Sequence, residues 1–306
     1  MATALADGSQ TTDSRLIGSL ELPNRLSLDA PSVAVTWQWL LATVYSNPPS
    51  TDGPSRAIDR SQAAAMAVLF LTVWLIYMAD RLLDCRRLDF SRDVPGRHRF
   101  ANRYSRILWP IWFGMLAIDS SLALRMLDRQ LLFAGAGLMG IVLLYCLAVH
   151  GSRWLRGGVP KEFVVGTVFA AGVSLPIAVI EFSLPLALTT CMMAALFSLN
   201  CLCVAKVQRG SDRQQKIGSA ILMFPRLASR LPLLSGLLSI LAIALGCWGL
   251  IPAAISAATA ISAIGLLGIA WIIDRERSWI DAASCGPLAD YVLLAPLPVL
   301  LLANWL

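Results

Sequence analysis

The sequence predicts an all-α, polytopic membrane protein, a bundle of nine transmembrane helices. Three observations carry this reading. The 306 residues are 57% hydrophobic and only 14% charged, with mean hydropathy +0.67, whereas soluble domains average about 45–50% apolar and about 25% charged residues. The apolar residues gather into runs that can cross a bilayer, for which about 20 residues suffice. The 25 Lys and Arg residues divide between alternate loops, twenty-one on one side and four on the other. Such a division is the positive-inside pattern of inserted helices.

Residues 1–27 are polar, with the run DGSQTTDS, and read as a disordered cytoplasmic tail; residues 28–306 form one transmembrane domain. No basic segment leads straight into a short apolar stretch, so no cleavable signal peptide is expected. The spans are 28–46, 61–79, 105–123, 131–149, 163–181, 184–205, 231–249, 251–273 and 288–306. The first is the weakest, because Asp29 and Pro31 sit at its start. Each must be helical, since a backbone in hydrocarbon has to satisfy its own hydrogen bonds. The loop after the second span carries Arg81, Arg86, Arg87, Arg92, Arg97, Arg99, Arg103 and Arg106. The fourth is followed by Arg153, Arg156 and Lys161, the sixth by Lys206, Arg209, Arg213, Lys216, Arg226 and Arg230, and the eighth by Arg275 and Arg277. Arg15 and Arg25 in the tail share that side, and Arg56, Arg60, Arg125 and Arg129 lie on the opposite one. The N-terminus and the even loops are therefore expected in the cytoplasm and the C-terminus outside.

The net charge of +6 is thus mostly topology, and nothing indicates nucleic acid as a partner. The sequence has no CxxC, GxxxxGK[ST], GxSxG or HExxH. His98 and His150 are not spaced as metal ligands. Zinc, ATP-driven transport and serine-hydrolase chemistry lose their motifs together.

Chemistry is concentrated where the second span ends, in WLIYMADRLLDCRRLD. Asp80 and Asp84 are four residues apart and share a helical face with Tyr77. Two carboxylates at the mouth of a bundle can hold a hard cation, and Mg²⁺ often takes one or two of them while phosphates and water complete its shell. The surrounding arginines can grip phosphate oxygens. The same residues also fit a solvated salt-bridge network, and that alternative stays open. A second polar cluster follows the sixth span: Asn200 within the apolar run, then Lys206, Gln208, Arg209, Asp212, Arg213 and Lys216. Both clusters follow even spans, four spans apart, as two halves of one site would.

With these residues in view the chain resembles the UbiA superfamily of intramembrane prenyltransferases over roughly residues 25–306. That family has nine helices and two aspartate-rich motifs, one after helix 2 and one after helix 6. In its first motif, NDxxDxxxD, the last two aspartates fall on Asp80 and Asp84, while the opening pair falls on Ile76 and Tyr77. GRHRF, with Arg97 and Arg99, occupies the place of a basic RPxxxG segment without its proline. The second motif falls on QRGSDR, where Asp212 matches one acid and Gln208 replaces the other. Asn200 stands where some members have a further acid, and PKEFVVGTVFAAG resembles the start of the family's helix 5, bringing Arg156 and Lys161.

The resemblance implies a Mg²⁺-dependent transfer of a prenyl group from a polyprenyl diphosphate to a lipophilic or aromatic acceptor within the bilayer, at a bacterial cytoplasmic membrane. It implies metal ligands at Asp80, Asp84 and Asp212, and diphosphate contacts at Arg97, Arg99, Arg156, Lys161 and Arg213. Tyr77, Asn200 and Gln208 would be additional polar groups. A UbiA-like scaffold without catalysis, binding lipid or transporting a solute, is the competing function.

Overall fold

The computed structural model describes residues 23–45, 60–92, 94–151, 160–215, 217–275 and 282–303. Most of the tail expected at 1–27, together with Arg156 and Lys216, lies outside them. Every regular element among the described residues is helical: α1 Asp29–Tyr45, α2 Arg60–Asp84, α3 Gly96–Arg103, α4 Ser105–Met126, α5 Arg129–Gly151, α6 Lys161–Ile180, α7 Leu184–Val207, α8 Arg209–Gln215, α9 Ala220–Met223, α10 Pro225–Cys247, α11 Ala253–Asp274, α12 Ala282–Tyr291 and α13 Pro296–Ala303, the last two joined by a 3₁₀ turn at Val292–Leu294. Eight helical segments among the described residues are long and apolar enough to cross a membrane: α2, α4, α5, α6, α7, α10, α11 and the composite Cys285–Leu302. α1 has 17 residues and corresponds to the weakest expected span.

α1 is short because the chain is already inside the bundle before α1 begins. Arg81 of α2 donates to the carbonyl oxygens of Asn24 and Arg25, and Trp74, two turns deeper on α2, donates to Leu26 O at 3.0 Å. Residues 24–26 therefore descend along α2. Ser27 then takes φ 58°, a conformation unusual for a side-chain-bearing residue, and turns the chain into α1. Backbone carbonyls left open at membrane depth need protein donors, and Arg81 and Trp74 supply them here. Buried Trp37 anchors the middle of α1 by donating to Leu293 O at 2.8 Å and meeting Phe197 edge-on.

The last span starts earlier than expected and is broken. Pro296 has no N–H to donate and disfavours α geometry just before it, so α12 tightens into the 3₁₀ turn there. The carbonyls released at Val292 and Leu293 are taken by Ser262 of α11, at 2.9 Å, and by Trp37.

α7 is the central helix. It packs on α6, α10, α11 and α12, while α1 packs on α2, α6 and α12. Ser183 caps its start by accepting from Leu186 N at 3.4 Å, and Pro185 sits in its first turn. Small residues let these helices approach, as is usual where lipid supplies no hydrophobic drive between them. A Cβ on Gly246 would lie 2.4 Å from Ser256 Oγ across the α10–α11 contact. α4 and α5 are peripheral, with only 11% and 6% of their apolar windows buried. Their exposed Phe113, Leu124, Phe133, Leu144 and Leu147 make a surface suited to lipid. Asp119 ties α4 to α2 by accepting from Thr72 at 2.9 Å.

Candidate functional site

The two polar stretches, more than a hundred residues apart, meet at the face that carries the basic loops. Asp89 N donates to Gln215 Oε1 at 3.1 Å and Gln215 Nε2 donates to Asp89 O at 2.9 Å. Arg92 donates to Gln214 O, and Arg97 on α3 donates to Gln208 Oε1 at 3.2 Å, at the end of α7. The segment after α2 is thereby laid over α8.

Under this lid the charges sort by sign. Asp80 and Asp84 both lie in α2, which runs about a turn beyond the expected boundary. Asp80 is exposed, and its field reaches Tyr77, Arg81, His98, Tyr145 and Cys146. Asp84 is half-buried beside Cys85, whose thiol is pushed up to about 11 by burial and then by Asp84. Asp212 is buried on α8 near Lys161, Arg97 and Glu162. Burial raises its carboxyl to about 6, against the pull of Lys161 and Arg97. Among the described residues no three His, Cys, Asp or Glu side chains are grouped so as to hold a metal ion, so Asp80, Asp84 and Asp212 do not close a three-carboxylate site.

Cations gather more closely. Arg97 lies within electrostatic reach of Arg81, Asp212 and Asp290, and both Arg97 and Lys161 act on His98. Burial, then Arg97 and Arg81, hold the His98 imidazole down to about 3. His98 is therefore neutral between the cations at any pH near 7. Arg97 Nε is buried with no acceptor. Arg99 and Arg213 are exposed at the same face.

A small cavity of about 20 Å³, room for one or two waters, lies below this mouth between α1, α2, α6, α7 and α12. Its polar wall is Tyr77, Asn200, Cys201 and Asp290; Val33, Phe169 and Phe197 supply apolar wall. Tyr77 and Asn200 each lie seven residues inside the ends of α2 and α7, about 10 Å along a helix. Asn200 Nδ2 donates to Asp290 Oδ1 at 2.8 Å. Asp29, the first residue of α1, lies against Asp290 and accepts from Asn24 Nδ2. Asn200 Oδ1 is buried without a donor, on a side chain only 7% exposed. Such an orphan costs about 1–3 kcal/mol.

Of the residues singled out from the sequence, Tyr77 and Asn200 line the cavity. Arg97, Lys161, Gln208 and Asp212 form the mouth, Asp80 and Asp84 end α2, and Arg156 lies outside the described residues. Asp29, Arg81 and Asp290 were not among them. Asp290 carried a visible signal, an acid inside an apolar run. Arg81 reads as one of eight loop arginines but is a 4% exposed bolt inside the bundle. Glu162, also buried, spends both carboxylate oxygens on Ala220 N at 3.1 Å, fixing the start of α9. Lys206 is likewise structural, pairing with Asp274 at 2.6 Å.

No protein-family model matches the sequence, and no curated protein matches it at significance. A solved structure of a membrane digeranylgeranylglyceryl phosphate synthase does match the fold: TM-score 0.52 over 93% of this chain and 95% of that one, at 11% identity. At that identity the likeness speaks for architecture alone. With the helical spans and the breadth of the match, it makes this chain an integral membrane protein with the fold of the UbiA-type intramembrane prenyltransferases.

Proposed function

We propose that the chain transfers a prenyl group from a polyprenyl diphosphate, taken up as its Mg²⁺ complex, to an acceptor within the bilayer. The observation that carries this reading is the gathering of Arg97 and Lys161, from distant parts of the chain, over a partly apolar cavity, with the Arg97 Nε donor buried and unanswered. A diphosphate answers it. The likeness to a membrane synthase of a digeranylgeranylglyceryl phosphate agrees with prenyl chemistry.

The donor set suits a metal that arrives with its diphosphate. One or two carboxylates commonly suffice for Mg²⁺ when substrate phosphates complete the octahedron, and Asp80, Asp84 and Asp212 supply carboxylates around the mouth without forming a closed site. When bound, the ion would neutralise charge on the departing diphosphate. Arg97 and Lys161, with Arg99, Arg213 and Arg156 further out, would hold the phosphate oxygens and favour the charge that develops as the allylic C–O bond breaks. The apolar wall of Val33, Phe169 and Phe197 would keep water from the reacting carbon. The orientation expected from the loop charges puts this mouth in the cytoplasm, where a soluble diphosphate head would reach it.

The test uses membranes containing the protein, a labelled isoprenyl diphosphate and Mg²⁺. Arg97→Ala, Lys161→Ala and Asp80→Ala should each lower transfer of label to membrane lipid at least about 100-fold. Wild-type protein that binds no isoprenyl diphosphate in the presence of Mg²⁺ would sink the proposal. Unchanged function in all three variants would favour the non-catalytic scaffold.

A further inference from the structure

The cations of the mouth do not exhaust the basic residues on that face of the protein. A second group lies at the start of α4, on the outside of the bundle. Arg103 ends α3, Arg106 is the second residue of α4, and Arg86 follows α2. All three are exposed. The mouth's Asp212 feels Lys161 and Arg97 and none of these three. Among the described residues no carboxylate pairs with them. Asp89, an exposed acid of the same loop, is taken by Arg92 at 3.0 Å.

Aromatic rings, not acids, hold two of these guanidiniums. Arg86 Cζ lies 5.5 Å from the centre of the Trp109 ring, and Arg103 Cζ lies 5.7 Å from that of Tyr104. A cation–π contact orients a guanidinium without neutralising it, so its N–H edge stays open to an anion. Arg106 stands three residues before Trp109 and so neighbours it on the surface of α4, beside the ring that Arg86 covers. Like charges without a counter-ion repel one another, and an anion among them relieves that repulsion.

What lies below selects the anion. Arg106, Pro110, Phe113, Ala117 and Leu124 recur at helical spacing on one face of α4. Phe113 is 60% and Leu124 69% exposed. Trp109 packs on Phe113 with ring centres 5.9 Å apart. α4 has 22 residues, about 33 Å of helix, against about 30 Å of hydrocarbon core. Arg106 therefore stands at headgroup level, Trp109 at the interface where tryptophan gathers, and Phe113 and Leu124 among acyl chains. A phosphate carried on apolar chains meets all of these groups, whereas a soluble phosphate meets only the arginines. A zwitterionic headgroup brings its own cation among three others, and an anionic one does not.

We propose that the start of α4 binds an anionic phospholipid of the surrounding bilayer, with its phosphate on Arg86, Arg103 and Arg106 and its chains along the Phe113–Leu124 face. The site is separate from the mouth and does not rest on the transfer reading.

The experiment is native mass spectrometry of delipidated full-length protein, titrated with phosphatidylglycerol or with phosphatidylcholine of the same acyl chains. Wild-type protein should take up its first phosphatidylglycerol at least about 10-fold more tightly than phosphatidylcholine. The triple variant Arg86→Gln, Arg103→Gln, Arg106→Gln should bind the two lipids alike. A charge-matched triple at the exposed Arg209, Arg226 and Arg230, each changed to Gln, should keep the preference. Glycerol 3-phosphate in excess should not displace the lipid. Equal affinity of wild type for the two lipids would overturn the assignment whether or not the variants fold. So would a preference that survives in the first triple, one that disappears equally in both triples, or one that glycerol 3-phosphate abolishes.

Discussion

At Gly166 the backbone of α6 lies directly against α7. A Cβ there would sit 2.3 Å from Ser198 Oγ, 2.5 Å from Ser198 N and 2.8 Å from Ser198 Cα. Two of those atoms are backbone and cannot rotate away, so the helices themselves would have to separate beside the cavity. Gly172, two turns along α6, is different: its Cβ would meet only Leu138 and Leu69 side chains, at 3.6 and 3.9 Å. Gly166→Ala should therefore cost about 1–3 kcal/mol or more by overpacking. Gly172→Ala should be neutral or stabilising by up to about 1 kcal/mol, the helix-propensity gain of alanine over glycine. Melting temperatures in detergent check both, and equal behaviour of the two would contradict the close approach drawn here. Neither glycine is distinguishable in the sequence, since each stands in the same apolar run. Arg81 was equally opaque: sequence adjacency placed it among solvated arginines, and only the descent of residues 24–26 along α2 gives its guanidinium buried acceptors.

Most of the helices were legible to within about a turn, while α10 begins at Pro225, six residues before the expected 231. Boundaries moved where polar groups belong to the inside of the bundle. α2 continues past the expected boundary through buried Arg81 to half-buried Asp84, and the last span, which already contained Asp290, starts a few residues early. α3, which carries Arg97, has no apolar signal; its hold comes from neighbours, and His98 gives it a titratable core. In the fold that imidazole is held down to about 3 by burial, Arg97 and Arg81, against 6.5 for an unperturbed histidine. The depressed value sets the sign. Above pH 6.5 both folded and unfolded chains carry neutral His98 and its contribution is fully present. As pH falls from 6.5 toward 3 the unfolded chain takes a proton that the fold refuses, and stability is lost at up to about 1.4 kcal/mol per pH unit. His98→Gln, which cannot titrate, should retain about 2–3 kcal/mol more of its neutral-pH stability at pH 4.5 than wild type does. Thermal unfolding at pH 7.5 and pH 4.5 measures this; parallel losses in both proteins would remove His98 as a source of acid sensitivity.

For the whole molecule, orientation decides whether the site can be supplied. The mouth built from Arg97, Lys161, Asp212 and the end of α2 lies on the side holding twenty-one of the 25 basic residues. The opposite side holds the Glu181 turn between α6 and α7. A prenyl diphosphate has a head that cannot cross hydrocarbon and a tail that prefers it, so it must approach from the compartment in which it is made, with the tail entering sideways. By the positive-inside pattern the mouth is expected on the cytoplasmic side. Exposed positions report it directly. In a background with the seven native cysteines replaced, Glu181→Cys and Arg213→Cys place one thiol on each side, both at exposed residues. An impermeant maleimide added to intact spheroplasts should label Glu181→Cys at once and Arg213→Cys only after permeabilisation. The opposite order would put Arg97 and Lys161 on the outer surface, facing a compartment without a supply of the diphosphate, and transfer chemistry would lose its substrate even with the fold intact.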